Sequence, residues 1–428
     1  MKRKLLLILT SLMLVMSVFS VKAEEDEDEI SQDIEVENID VTEGGPIISG
    51  ESAILIDAKT GMVLYRKNAD EHKEPASITK ILTVYLASVN LNDETMITAS
   101  QEAIFGFDRS SSHIWLTPDE KVRAIDLEYA AFLSSANDAS NMLAEGVSES
   151  QEAFVEVMNQ TVEDLGLSNT HFANAHGLHD DNHYTSAYDM AMITRAVLKN
   201  NKFKKIFETR TYEMSATNKQ ESKRTFAAGN NMIKNGEFYY EYATGGKIGW
   251  TPEAGYTIVT TATKDNMDLI AVVLNCSDQD SRYTDTKALF EYGFNNYKTV
   301  LLKGSDIPVE TVEIKDGGKL WAIANFSIDV DFNILLPYNT NEETVTTSIE
   351  IKHEKDPNKI EGYVIIKIDG QKVGEVIMDK EIEIFDTSFL ATSLPLINKF
   401  LDYFSIFILG LFLFVSFVEF TGKIKVPE

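Results

Sequence analysis

Glu74-Pro75-Ala76-Ser77-Ile78-Thr79-Lys80-Ile81-Leu82-Thr83 sets a proline, a hydroxyl and an amine at the mouth of a helical run. Pro75 introduces the helix, and Ile78, Leu82, Tyr85 and Leu86 recur with a 3.6-residue period over residues 78–89. Three positions apart, Ser77 and Lys80 share one face of that helix, their Cβ atoms within roughly 5–6 Å. A serine beside an amine is a candidate nucleophile with its base. The pair by itself reads more readily as a serine cap with a solvated lysine, because Ser-x-x-Lys arises on the order of once by chance in a chain this long.

Outward from this run, the chain alternates strand-like and helical stretches from residue 47 to about 300. Ala53–Asp57 and Met62–Tyr65 flank the turn Ala58-Lys59-Thr60-Gly61 and read as a β-hairpin. Helices are expected over 124–131, 138–145, 151–165 and 187–198, strands over 255–262 and 269–274, and a last helix over 285–293. Residues 301–386 differ: short β-branched runs at 309–314, 344–351, 363–368 and 374–378 are separated by Gly, Asp and Asn turns, the texture of a small all-β module.

The ends carry targeting signals. Met1–Ala23 opens with Lys2-Arg3-Lys4, continues uncharged from Leu5 to Val21 and closes on Val21-Lys22-Ala23, the pattern of a cleaved secretory signal; an uncleaved N-terminal anchor is the alternative. Within residues 24–46, Glu24–Glu43 holds eleven acidic residues and no basic one, an acidic linker kept solvated by self-repulsion. In residues 387–428, Tyr403–Val418 is sixteen residues without a charge, followed by Lys423 and Lys425. At 1.5 Å per residue it covers about 24 Å, so a short membrane span is expected, with an in-plane amphipathic anchor as the alternative.

Composition narrows the chemistry. Lys+Arg number 39 against 67 Asp+Glu, a net charge of −28, which repels phosphate backbones and argues against nucleic acid as a partner. A single cysteine, Cys276, excludes an intrachain disulfide, a thiolate zinc cage and a redox pair.

Three stretches in order carry a family likeness: Pro75-Ala76-Ser77-Ile78-Thr79-Lys80, Ser135-Ala136-Asn137-Asp138, and Thr244-Gly245-Gly246-Lys247-Ile248-Gly249-Trp250-Thr251. They resemble the three active-site motifs of the D-alanyl-D-alanine carboxypeptidases among the low-molecular-mass penicillin-binding proteins. The likeness covers about residues 50–300 and lies in order and spacing. It implies for that stretch an α/β fold of the serine transpeptidase/β-lactamase type, an antiparallel sheet with flanking helices; the β-rich module and the membrane anchor, read from composition alone, are expected to follow it. It also implies Ser77 as nucleophile, Lys80 as its base, Ser135 as proton relay, and Asn137, Lys247, Gly249, Trp250 and Thr251 as substrate-binding residues. Backbone N–H groups of Ser77 and Trp250 would form the oxyanion hole. The expected partners are peptidoglycan stem peptides ending in D-Ala-D-Ala and β-lactams as covalent inhibitors, with no cofactor and no metal.

Two decoys and two departures accompany the likeness. Lys59-Thr60-Gly61 is a literal Lys-Thr-Gly, but between two alternating runs it reads as a hairpin turn. His176, His179 and His183 invite a zinc reading, yet Gly177 and Asp180-Asp181-Asn182 break any helix that would align them. Ile248 stands where the family has a threonine that helps hold the substrate carboxylate, and Tyr188 where it commonly has arginine. The Ile248 departure keeps a catalytically weakened wall-binding scaffold open as the alternative; a β-lactamase is the less favoured rival, since the sequence shows no obvious motif for the glutamate that would activate a deacylating water.

Overall fold

The computed structural model describes residues 44–316, 319–353 and 359–384. The signal, nearly all of the acidic linker and the C-terminal apolar run lie outside the described residues, among which no helix is long and apolar enough to cross a membrane.

The frame is a five-stranded antiparallel sheet built from β1 (Ser52–Asp57), β2 (Val63–Lys67), β7 (Ala243–Thr251), β8 (Gly255–Lys264) and β9 (Met267–Cys276), in the order β2-β1-β9-β8-β7, with Lys247 and Gly249 on the edge strand β7. Between β2 and β7 the chain forms two small two-stranded antiparallel sheets, β3 (Met96–Thr98) with β4 (Lys121–Arg123) and β5 (Thr211–Met214) with β6 (Arg224–Ala227). All six residues of β1 are buried, so both faces of the sheet are covered, which is why β1 and β9 read as continuous apolar runs rather than alternating ones.

Helices complete the core: α1 (Lys80–Asn90), α2 (Gln101–Phe105), α3 (Ala124–Leu133), α4 (Asn137–Val147), α5 (Gln151–Asp164), α6 (Ala187–Val197), α7 (Asn201–Phe207) and α8 (Ser281–Asn296). α1 packs on α3 and α4, while α6 and α8 lie on the sheet. The hairpin, the helices at 124, 137, 151 and 187 and the two long strands fall where the sequence places them, within a few residues at their ends. The helix expected from Ile78 differs at its start. A 3-10 turn, Ala76–Thr79, comes first and α1 begins at Lys80, because Ala76 adopts φ 49°, outside the right-handed helical region.

After α8 the described residues hold only strands and 3-10 turns. β10 (Tyr297–Leu302) pairs with β13 (Phe332–Pro337). A second sheet has the order β11 (Glu310–Asp316), β12 (Lys319–Ser327), β17 (Asp379–Ile384), and a third β14 (Val345–Lys352), β15 (Glu361–Ile368), β16 (Gln371–Ile377). Phe326, Val364 and Met378 centre one small apolar cluster, and Ile334, Leu336 and Ile366 another. β16 meets the hairpin turn: Glu375 N–H donates to Thr60 O at 2.9 Å, and Arg195 donates to the carbonyls of Lys59 (2.8 Å) and Glu375 (3.1 Å). Lys59-Thr60-Gly61 is therefore structural, with the Thr60 hydroxyl and N–H both donating to buried Asp57.

Candidate active site

Three segments meet at Ser77. Its own 3-10 turn is held by Thr257, whose hydroxyl donates to Pro75 O at 3.0 Å. Behind it runs β7, where the ideal Cβ of a residue at Gly249 would stand 2.7 Å from Ser77 N and 2.5 Å from Thr257 Oγ1. On the other side Gly177, with φ +84°, presses so close that a Cβ there would lie 2.0 Å from Ala76 O. Only glycine fits either position.

That closeness lets the His176 carbonyl reach Lys80, which begins α1 and is fully buried. Its Nζ lies 2.7 Å from Asn137 Oδ1, within hydrogen-bond reach of His176 O, and 3.1 Å from Ser77 Oγ. Burial, and next the Lys247 charge, hold the Lys80 amine well below the ordinary lysine range. A neutral amine has two N–H groups and one lone pair. The N–H groups match the two carbonyl oxygens, and the lone pair is left for the Ser77 hydroxyl.

Ser135 and Asn137 come from the link between α3 and α4. Ser135 adopts φ 57°, a left-handed conformation costing on the order of 1–3 kcal/mol for a residue with a Cβ. Its Oγ accepts from Lys247 Nζ at 3.1 Å. Asn137 opens α4, its amide donating to Ser111 Oγ at 2.8 Å and its carbonyl facing Lys80. Along β7, Lys247, Gly249 and Thr251 are buried, whereas Ile248 is half-buried and Trp250 is exposed. Burial and the Arg282 charge push the Lys247 ammonium down to about 7. Six of the expected residues thus converge: Ser77, Lys80, Ser135, Asn137, Lys247 and Gly249. Trp250 and Thr251 continue the same strand, Thr251 turning its hydroxyl to Ala254 N at 3.0 Å rather than towards the cleft.

A D-alanyl-D-alanine carboxypeptidase family model, peptidase S11, matches residues 39–278. The chain belongs to that family. Among its relatives the carboxypeptidase DacF of Bacillus subtilis is 32% identical over 79% of this chain and 83% of its own length. DacA of Escherichia coli is 31% identical over 77% and 82%. Of solved structures, penicillin binding protein 5 from Haemophilus influenzae superposes with a TM-score of 0.61 at 27% identity, over 80% of this chain and 98% of that one. The Streptomyces K15 DD-transpeptidase gives 0.55 at 28%, over 59% and 99%.

Against that family the histidines sort by geometry. His183 Nδ1 accepts from Ala173 N–H at 2.9 Å, which puts its proton on Nε2, 2.8 Å from Thr79 Oγ1; the Thr79 hydroxyl passes the chain on to Ala76 O at 2.8 Å. Burial pushes His183 down to about 3, so it stays neutral and braces the turn that carries Ser77. His179 stands apart on the surface, 2.8 Å from Glu74. Among the described residues Glu74, His179 and Glu253 are the group spaced to hold a metal ion, their ligand atoms within 4.8 Å of one another, but Glu74 and His179 already satisfy each other.

Sequence reasoning missed Arg282, which α8 buries between the rings of Tyr256 and Tyr283, 5.2 and 4.8 Å from their centroids, with its guanidinium 3.4 Å from Gly249 O. Tyr188 lies elsewhere than the site, its N–H on Ala69 O and its ring among Asp70, Arg195 and Glu375. Its departure from the family arginine therefore bears on packing near β2 rather than on the cleft. Cys276 is buried, its thiol pushed up to about 12 by burial and Asp285, and takes no part.

Proposed function

We infer that the protein is a serine D-Ala-D-Ala carboxypeptidase that trims the terminal D-Ala from peptidoglycan stem peptides. The observation that carries this is the fully buried Lys80 amine, held well below the ordinary lysine range, with its Nζ 3.1 Å from Ser77 Oγ. Lys80 takes the Ser77 proton as Oγ attacks the penultimate carbonyl, and the N–H groups of Ser77 and Trp250 receive the oxyanion. Ser135, bridged to Lys247, relays a proton to the leaving D-Ala nitrogen, and water then clears the acyl-enzyme. Asn137 holds the substrate amide. Lys247, aided by the charge of Arg282, meets the terminal carboxylate; with its ordinary affinity for a proton lowered to about 7, an arriving carboxylate draws it back to the charged form. β-Lactams present the same reactive carbonyl beside a carboxylate and acylate Ser77.

The organisation proposed around this enzyme is a cleaved signal over 1–23, an acidic linker over 24–46, the catalytic domain over 47–300, the β-rich domain over 301–386 and a membrane anchor over 387–428, with the enzyme outside the cytoplasmic membrane. Finding the uncleaved full-length protein only in the culture medium would contradict it. Activity is tested by incubating the protein with a D-Ala-D-Ala peptide and assaying released D-Ala. Absence of release from freshly folded protein that still binds penicillin would overturn the carboxypeptidase assignment.

Ile248 lies on the less buried face of β7, its Cδ1 3.2 Å from where a Cβ on Gly229 would sit. Ile248→Thr adds a hydroxyl on that face and is expected to raise kcat/KM on a free-acid peptide about tenfold to a hundredfold, the worth of one hydrogen bond to a charged group at ~1.5–3 kcal/mol. A peptide esterified at its terminus should gain little; equal gains on acid and ester would show that Ile248 acts by packing.

A further inference from the structure

Nine non-glycine residues among those described take a left-handed backbone conformation, and six of them are Asn or Asp, which tolerate it. The other three are Ala76, Ser135 and Trp115. Ala76 precedes the nucleophile and Ser135 lies in the second motif, so their strain belongs to the catalytic geometry. Trp115, at φ 62°, has no place in that machinery and is 71% exposed. A buried carboxylate enforces its pose: Asp138, next to Asn137, accepts the N–H groups on either side of it, from Ile114 at 3.2 Å and Leu116 at 3.1 Å. Strain spent to hold a large apolar ring in water points to a ligand that covers the ring.

The same loop adjoins the cleft. Ser111 Oγ accepts from the Asn137 amide at 2.8 Å, and Ser112 O from the Asn137 N–H at 2.9 Å. The Phe107 ring lies 6.1 Å from His176, whose carbonyl faces Lys80. Between these contacts stands Arg109, its guanidinium carbon 5.7, 5.6 and 5.8 Å from the ring centres of Phe105, Phe107 and Trp115. It donates to Ile104 O at 3.0 Å, and no carboxylate among the described residues pairs with it, although the net charge is −28 and Asp108 is its neighbour in sequence. The Asp108 carboxylate is instead taken by Ser110.

We propose that Arg109 and Trp115 form an acyl-side subsite that binds the part of the peptide substrate upstream of the scissile bond, Arg109 pairing with a free carboxylate there and Trp115 covering its apolar stem. Arg109 enters with three or more open donors and a face preorganised by aromatic contact, suited to a carboxylate rather than to an ammonium. Trp115 supplies apolar area with little rotamer entropy to lose. The subsite lies on the Asn137 side of Ser77, whereas Lys247 and Arg282 gather on the β7 side, so the substrate would be gripped by a cation at each end.

This inference rests on the carboxypeptidase reading, and the test separates the two. The full-length protein is given three peptides ending in D-Ala-D-Ala: a short blocked tripeptide, a longer peptide with a free carboxylate on its upstream part, and the same longer peptide with that carboxylate amidated. The expected kcat/KM order has the carboxylate peptide about tenfold above its amide, a preference that Arg109→Gln abolishes. Trp115→Phe should keep most of the ratio of long to short peptide, and Trp115→Ala should bring that ratio close to one. A wild type that turns over all three peptides equally overturns the subsite alone. So does a variant that loses the same factor on every peptide, since that marks a role in holding Asn137. A wild type that releases D-Ala from none of them overturns the carboxypeptidase reading and the subsite with it.

Discussion

Lys80→Ala should lower the rate of Ser77 acylation by about 10²–10⁴, the range that a positioned general base contributes. The amine has no neighbour able to replace it. Lys247 Nζ is engaged with Ser135 Oγ and the Ile248 carbonyl, and among the described residues no His ring nitrogen is hydrogen-bonded to Ser77. The substitution also strips a donor from two carbonyl oxygens, Asn137 Oδ1 and His176 O, so some loss of stability accompanies it, about 1–3 kcal/mol for a buried acceptor left unpaired. Lys59→Ala, by contrast, removes an exposed lysine whose partner is Asp268 at 3.5 Å, and should leave acylation within about twofold of the wild type, since a surface ion pair contributes roughly 0–1 kcal/mol. Acylation is read as stopped-flow labelling by a fluorescent penicillin, with circular dichroism as the check on folding. A large loss in Lys59→Ala with none in Lys80→Ala would assign the chemistry to the other lysine-bearing stretch.

The second large effect is expected from a methyl group. Gly249→Ala sets a Cβ about where Ser77 N and Thr257 Oγ1 already crowd, 2.7 and 2.5 Å away, and 2.9 Å from Ala76 Cβ. None of these atoms is the end of a long flexible chain, so the strand and the nucleophile turn must part. Displacing reacting groups by about 1 Å costs on the order of 10²-fold in rate, and the Ser77 N–H proposed for the oxyanion would move with them. The expected result is a protein that still folds, because the clash lies at the rim between one turn and the sheet edge, but acylates at least about a hundredfold more slowly. Gly229→Ala is the control: its Cβ would meet Ile248 side-chain carbons at 3.1 and 3.2 Å, which can give way, and Leu133 O at an ordinary 4.0 Å. Equal acylation rates in wild type and Gly249→Ala would show that this contact does not set the nucleophile.

What the residues disclosed before the fold was known follows the physics of each signal. The Ser77–Lys80 pair is local, three positions apart, so spacing marks it as a candidate, but only the ordered likeness of three motifs lifts it above a serine cap; a 3-10 turn rather than an α-helix supplies the geometry. Ser135 and Lys247 are far away in the chain, and only the ordered likeness of the motifs brought them in. The β7 strand carries Gly245, Gly246 and Gly249, which weaken any strand pattern, yet these glycines let the strand lie against Phe207, Asn230 and Ser77. His176 contributes a backbone carbonyl, and a carbonyl leaves no trace in residue type. Arg282 lies just before the helix expected over 285–293 and carries no sequence signal of its own, and its burial between two tyrosines is a tertiary fact. Helix α7 was missed because Asn201–Phe207 is short and lysine-rich, its apolar face reduced to Phe203, Ile206 and Phe207.

The central claim is that Ser77 is the nucleophile activated by Lys80. Its most direct test is the intact mass of the protein after incubation with benzylpenicillin, followed by peptide mapping of the adduct, in the wild type and in Ser77→Ala. Ser77 Oγ has Lys80 Nζ as its hydrogen-bond partner, so its loss leaves the fold in place. The wild type should carry one penicilloyl group on the peptide containing Ser77, and Ser77→Ala none. An adduct that persists in Ser77→Ala, or that maps to Ser111 or Ser135, would contradict the account.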